Sequence, residues 1–192
     1  VYFHRKGEVR YGNVLLALSL AMVDLVAWGA GPQLHLVPVA VALVVVDVVA
    51  VALAALALHD GSEFLFSIAA AGALSSPFVT SNGGDNAPAL LAYGACVSIG
   101  AVRAVRDPRW ARAFGVLAAG ALVYALAGAA MPMRAAWYAP FAIALFGGAC
   151  AAGALLLADD AWRGNLSRVY LAIALVGVPV GWDRIGSSSV GA

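Results

Sequence analysis

Charged residues are scarce in this chain, at 11% of its 192 residues, whereas 64% are hydrophobic. A soluble domain carries about 25% charged residues, so the chain lacks the side chains needed to build a water-facing surface. This scarcity excludes a soluble globular domain and indicates that lipid solvates most of the protein. The length leaves room for several membrane spans of about 20 residues each and for no soluble domain of any size.

Cysteine, histidine and catalytic motifs are scarce as well. Cys96 and Cys150 both lie inside apolar runs, which predicts buried small side chains and excludes a disulfide framework or a metal-binding spacing. The three histidines, His4, His35 and His59, are scattered at the ends of apolar runs and form no ligand set. There is no nucleophile elbow, phosphate loop or haem-binding pair, so we expect no enzymatic activity, no cofactor and no nucleic-acid partner.

What the chain does contain is a series of continuous apolar runs. They cover residues 12–30, 36–58, 64–78, 87–105, 110–130, 135–158 and 166–180. Only helices and closed barrels satisfy the backbone in lipid, and runs without alternation exclude a barrel. The pattern predicts an all-α bundle of about seven transmembrane helices, forming one domain over residues 1–192. We expect Gly31-Pro32 to follow the first helix and Pro77 to end the third.

Basic residues are distributed unevenly between alternate connections of this bundle. Nine lie on one side: Arg5, Lys6, Arg10, Arg103, Arg106, Arg109, Arg112, Arg163 and Arg168. The other side has two, Arg134 and Arg184. Because cytoplasmic connections carry the excess of basic residues, we predict that the N-terminus is cytoplasmic.

The main polar break in the chain, TSNGGDN at residues 80–86, then falls on the external face. Asn86 is suited to cap the fourth helix. Together with Asn82 and Asp85 it can bind an anion at the start of that helix, or a cation through the Asp85 carboxylate. The simpler interpretation is a solvated glycine turn.

Two carboxyl groups, Asp24 and Asp47, lie well inside the first and second apolar runs. A carboxylate at the bilayer centre costs about 2.5–3.5 kcal/mol on insertion scales, so such a residue usually faces the bundle interior. Counting from the external run ends predicts depths that differ by roughly 7 Å at 1.5 Å per residue. The two groups can form successive steps of a proton or cation path. The alternative is that they hydrogen-bond a neighbouring helix or a partner subunit.

Four arginines, Arg103, Arg106, Arg109 and Arg112, flank the connection between the fourth and fifth runs. On the cytoplasmic side they can bind anionic lipid headgroups, at about 1 kcal/mol per residue near the surface. The same residues are also explained as a topology signal alone.

The stretch GALSSPFVTSNGGDNAPALLAYG, residues 72–94, and the Arg106–Trp110 turn carry a family resemblance. Their order of elements resembles that of large multi-pass bacterial membrane proteins catalogued as domain of unknown function 2339. The matching positions are Gly72, Pro77, Ser81, Asn86, Leu90, Leu91, Tyr93 and Arg106–Trp110, and the resemblance covers about residues 11–130. It implies a helical protein of a bacterial inner membrane and supplies no activity. The chain departs from that family in its shortness and in Ser75-Ser76, where bulkier residues are usual.

These observations favour a non-catalytic accessory or scaffold subunit. Its partners would be membrane lipids and the other transmembrane subunits of a bacterial respiratory or photosynthetic assembly. Glycine and alanine in the fifth and sixth runs support this hypothesis, because small residues let helix backbones approach closely in lipid. The alternative is a small transporter or proton- or cation-conducting protein that uses Asp24 and Asp47. Because the chain begins at Val1 rather than Met, we expect it to be part of a longer polypeptide.

Overall fold

The computed structural model describes residues 9–80, 87–105, 110–130, 138–157 and 163–175. Every regular element within them is helical, which confirms the all-α prediction. The α-helices are α1 (Val9–Trp28), α2 (Val39–Asp60), α3 (Glu63–Thr80), α4 (Ala87–Ala104), α5 (Ala111–Ala130), α6 (Tyr138–Leu157) and α7 (163–175).

Five of these helices are long and apolar enough to cross a membrane: α1 with the turn that follows it, α2, α3, α4 and α5. In α6 the apolar stretch is shorter, Phe141–Leu156, and the described part of α7 is shorter than the about 17 residues that a span needs. The protein is therefore a polytopic helical membrane protein. The sixth and seventh spans and the cytoplasmic N-terminus stay predictions.

The first span does not end at Gly31-Pro32, as the turn signal suggested. It continues through a π-helical turn, Gly29–Gln33, in which the Leu34 N–H donates to the Gly29 carbonyl oxygen at 2.9 Å. Pro32 has no N–H, and its ring clashes with the carbonyl four residues earlier in an α-helix. A wider π turn accommodates such a residue, so the first span runs from Tyr11 to Gln33.

A tight turn joins α2 to α3. Gly61 adopts a left-handed conformation, with φ of 65°, and Ser62 donates its N–H to the Ala57 carbonyl oxygen at 2.9 Å, the pattern that ends many helices. The Ser62 hydroxyl also accepts a hydrogen bond from the Leu65 N–H at 3.4 Å and so caps the start of α3.

Pro77 does not end α3, which continues to Thr80. Side-chain hydroxyls support the backbone around the proline. Ser75 and Ser76 donate to the Gly72 carbonyl oxygen at 2.9 and 2.8 Å, and Thr80 donates to the Ser76 carbonyl oxygen at 2.8 Å. Ser and Thr side chains near a proline are among the features that let a membrane helix tolerate it.

The chain divides into two compact units, Val1–Gly84 and Asp85–Ala192. We call them unit 1 and unit 2 and describe each by itself. In unit 1, α3 packs against both α1 and α2, and half of the membrane-spanning part of α3 is buried, the largest share among the five spans.

In unit 2 the helices approach closely at small residues. Tyr124 of α5 is fully buried, lies against Gly94 of α4 and stacks on Phe146 of α6 with ring centroids 6.3 Å apart. Gly147 of α6 faces the backbone of α7, and Gly153 of α6 receives the side chain of Ile99 from α4. These contacts hold the four described helices of unit 2 together.

Candidate functional site

The inner face of α1 places two polar side chains inside unit 1. Its residues recur at alternating spacings of four and three: Asn13, Ala17, Leu20, Asp24, Ala27 and Gly31. Leu20 contacts Gly72 of α3, and Ala27 packs with Ala42 and Val46 of α2. Asp24 lies between these two contacts, and its Oδ1 atom is buried without a hydrogen-bond partner among the described residues.

Asp47 lies at nearly the same depth as Asp24. Asp24 is nine residues before Gln33, and Asp47 is eight residues after Val39. The contact between Gly31 and Ala42 gives a similar alignment of the antiparallel helices. The difference in depth is thus roughly 3 Å or less at 1.5 Å per residue, smaller than the roughly 7 Å expected from the run ends. The cause is the π turn, which extends the first span, together with the later start of α2.

The environment of Asp47 differs from that of Asp24. It follows Val46, which faces α1, and its own side chain is half-buried. Asp47 also takes part in a polar interaction. Asp24 differs in that one of its carboxyl oxygens, Oδ1, is buried and has no hydrogen-bond partner among the described residues.

Two serines of α3 lie at the depth of Asp24. The contacts Asn13–Ser62 and Leu20–Gly72 show that α1 and α3 run parallel. Asp24 is four residues after Leu20, and Ser76 is four residues after Gly72. All three helices of unit 1 thus contribute polar groups at one depth, which we call the polar layer: Asp24, Asp47, Ser75 and Ser76.

The chemistry of the polar layer follows from its hydrogen bonds. Ser75 and Ser76 both give their protons to the Gly72 carbonyl oxygen, so their hydroxyl oxygens present lone pairs. Carboxyl and hydroxyl oxygens are suited to accept a proton or to bind a small hard cation. Among the described residues no three His, Cys, Asp or Glu side chains form a metal-binding group.

The outward face of α4 carries only small side chains between its ends. Ala89, Ala92, Cys96 and Gly100 are exposed, and we call them the small-residue face. No large apolar side chain of α4 is exposed, whereas α1, α2 and α6 expose many, such as Leu25, Val48 and Leu145. Cys96 is therefore exposed, contrary to the expectation that both cysteines are buried; Cys150 is buried.

Two of the four candidate lipid-binding arginines lie in the described residues. Arg103 at the end of α4 and Arg112 at the start of α5 are both exposed, and Arg112 takes part in an interaction. Arg106 and Arg109 lie outside the described residues. So do the external-loop candidates Asn82, Asp85 and Asn86, and their predicted roles stay predictions.

Sequence patterns missed several buried polar side chains, of which Asn13, Ser98 and Tyr170 do not simply bond to a carbonyl oxygen of their own helix. Asn13 is 7% exposed and donates from Nδ2 to the Ser62 hydroxyl at 3.0 Å, which ties α1 to the α2–α3 turn. Ser98 of α4 and Tyr170 of α7 are both buried in unit 2. The spacing of Asn13 seven residues before Leu20 was the available signal for the first of them.

No family model matches the chain, and neither a curated protein nor a solved structure matches it. The resemblance to domain of unknown function 2339 therefore stays a prediction, and the function is argued from the residues alone.

Proposed function

We propose that the protein is a non-catalytic helical subunit that packs, through the small-residue face of α4, against another transmembrane helix of a larger assembly. The observation that carries this proposal is the contrast between outward faces. Those of α1, α2 and α6 carry Leu, Val and Phe, which suit lipid tails, and that of α4 carries Ala89, Ala92, Cys96 and Gly100.

The physics of helix association in lipid supports this choice of face. Lipid tails are as apolar as leucine, so burial from water contributes nothing between helices, and close backbone contact drives association instead. At Gly100 a Cβ atom would meet nothing within 4 Å, so there is room for a second backbone. Exposed Arg103 stands at the end of the same face, where it can bind an acidic group or a lipid phosphate.

The assembly we propose is a respiratory or photosynthetic complex, and its location in a bacterial inner membrane is what the family resemblance implies. The test is purification in mild detergent followed by mass spectrometry of the proteins that come with the chain. We expect a transmembrane protein in fixed stoichiometry. Recovery of the bare chain from its native membrane would overturn the proposal.

A matched pair of variants locates the docking surface. Ala92→Leu adds a large side chain to the small-residue face, and Ala52→Leu makes the same change on the exposed face of α2. Overpacking costs about 1–3 kcal/mol, which corresponds to a loss of bound partner of roughly fivefold to a hundredfold. We expect that loss for Ala92→Leu and unchanged recovery for Ala52→Leu. Equal effects of the two changes would contradict docking on α4.

The polar layer favours a second candidate function, proton or cation conduction. It supplies two carboxyl groups within the membrane-spanning part of neighbouring helices, and intramembrane carboxyl groups are typical of proton and ion pathways. Asp24→Asn and Asp47→Asn should then abolish proton flux into liposomes loaded with a pH-sensitive dye, with helix content and assembly intact. Asp60→Asn, at the end of α2, is the control. If wild-type liposomes show no flux above empty ones, the carboxyl groups serve packing instead.

A further inference from the structure

The connection between α1 and α2 carries two large apolar side chains that are mostly exposed. Only residues 34–38 separate the two spans. Within them, Leu34 is 67% exposed and Leu36 is 72% exposed, and Val26, on the outward face of α1, is 67% exposed. The outer surface of the connection is therefore as apolar as the outward faces of the two spans that it joins.

This connection has no charged residue near it, in contrast to the connection at the other end of α2. Between Asp24 and Asp47 the sequence contains no Asp, Glu, Lys or Arg. The α2–α3 turn is flanked by His59, Asp60 and Glu63. Because charged side chains are costly in lipid, the α2–α3 turn must stay at the water surface, whereas the α1–α2 connection is free to enter the membrane.

The backbone of the connection needs no water for its donors. The N–H groups of Leu34, His35, Leu36 and Val37 all donate to carbonyl oxygens of the preceding π turn, at 2.8–3.2 Å. Pro38 has no N–H. To turn back in this way, the chain holds His35 at φ of 51°, a left-handed conformation that is uncommon for a residue with a Cβ atom. A loop in water can leave its donors to the solvent, but in lipid each N–H must find an acceptor within the protein.

The length of α1 places the connection at the boundary between acyl chains and headgroups. The hydrogen bond from Asn13 to Ser62 fixes the start of α1 beside the charged α2–α3 turn, at one surface of the membrane. Leu34 follows Asn13 by 21 residues, which is about 30 Å at 1.5 Å per residue. The hydrocarbon core of a bilayer is also about 30 Å thick. Leu34 therefore lies where the acyl chains of the opposite leaflet begin.

We propose that the α1–α2 connection is embedded in this membrane interface, with Leu34 and Leu36 inserted among the lipid acyl chains. Gln33 and His35 alternate with them and are also exposed, and their polar atoms face the headgroup layer, as amphipathic side chains do at an interface. The occupant is lipid rather than another protein because the apolar surface is continuous with that of the two spans. The connection also leaves no N–H for a partner to pair. This lipid contact does not depend on docking through the small-residue face.

Spin labels on single cysteines test the proposal with the full chain in liposomes of phosphatidylethanolamine and phosphatidylglycerol. Leu34→Cys and Leu36→Cys are made in the Cys96→Ala background, where the remaining Cys150 is buried. Both replaced side chains are exposed, so neither change removes core packing. Two collision rates of each label are measured by electron paramagnetic resonance. One is with oxygen, which concentrates in acyl chains, and the other is with a nickel chelate, which stays in water.

Two reference positions on α2 calibrate the measurement. Val48→Cys is the lipid-facing reference, since Val48 is exposed within the span, and His59→Cys is the water-facing reference beside the α2–α3 turn. We expect the ratio of oxygen to nickel collisions at positions 34 and 36 to be close to that at position 48 and well above that at position 59.

Two results would overturn the proposal. A ratio at positions 34 and 36 as low as that at position 59 would place the connection in water. Low collision rates with both reagents would mean that protein, such as a second copy of the chain, covers the two leucines. If one variant fails to fold, judged by circular dichroism, the other carries the test.

Discussion

Gly147 of α6 lies against the backbone of Tyr170, where a Cβ atom at position 147 would stand 3.0 Å from the Tyr170 carbonyl oxygen and 3.0 Å from the Ala174 Cα. Backbone atoms cannot rotate away as a side chain can, so the approach of α7 to α6 depends on the missing side chain. In a bilayer this kind of contact replaces the hydrophobic effect as the source of helix association.

We therefore predict that Gly147→Ala destabilises unit 2 by about 1–3 kcal/mol, the usual cost of overpacking. The adjacent Gly148→Ala is the matched control, since a Cβ atom there meets nothing within 4 Å. That change should be neutral or stabilising by about 0.5–1 kcal/mol, because alanine favours a helix over glycine. Unfolding in mixed detergents, followed by circular dichroism, measures both. Equal stabilities would show that α7 does not pack at Gly147.

Because Asn13 donates a hydrogen bond to Ser62, we predict that the stability costs of changing these two residues are coupled. Asn13→Ala removes a hydrogen bond worth about 0.5–1.5 kcal/mol. Ser62→Ala should cost more, about 1–2 kcal/mol, because this hydroxyl also caps α3. Since both changes remove the same bond, the double variant should cost less than the two single costs added together. Full additivity in the unfolding titration would mean that the bond does not form.

The turn between α2 and α3 gives a third prediction. Gly61 has φ of 65°, a conformation that costs a residue with a Cβ atom about 1–2 kcal/mol. Gly61→Ala should lower the stability of unit 1 by about that amount, and Gly61→Asn by less, because asparagine tolerates the left-handed region. The same titration checks the order of the three proteins. An alanine variant as stable as the wild type would contradict this backbone geometry.

Hydropathy located the spans because lipid is the solvent around every helix, so each span must be a run of apolar residues. The ends of α2 and α3 were predicted to within three residues. The same uniformity hides which face packs inward, since a membrane helix is apolar all round. The burial of Asn13 and the exposure of Cys96 therefore could not be derived from the composition of their runs.

The depth of the carboxyl groups could not be predicted for a different reason. Gly31-Pro32 is a turn signal in ordinary sequence, and only the π turn shows that the first span continues beyond it. A shift of three residues at a helix end changes an estimated depth by about 4.5 Å. That is enough to change two separate steps of a path into one polar layer.

We predict that the two cysteines behave in opposite ways in chemical labelling. Cys96 is exposed on the small-residue face, and Cys150 is buried in unit 2. Because thiol reactivity requires access and ionisation, and an apolar environment slows ionisation, a membrane-permeable maleimide should modify Cys96 in the purified chain slowly and leave Cys150 unmodified until the protein unfolds. Mass spectrometry of proteolytic fragments distinguishes the two sites, and Cys96→Ala is the control that should take up no label while folded.

In native membranes the proposed partner covers the small-residue face, so labelling of Cys96 by a membrane-permeable maleimide should fall there and recover once the assembly is dissociated. Equal labelling before and after dissociation would place the partner on another face of the protein.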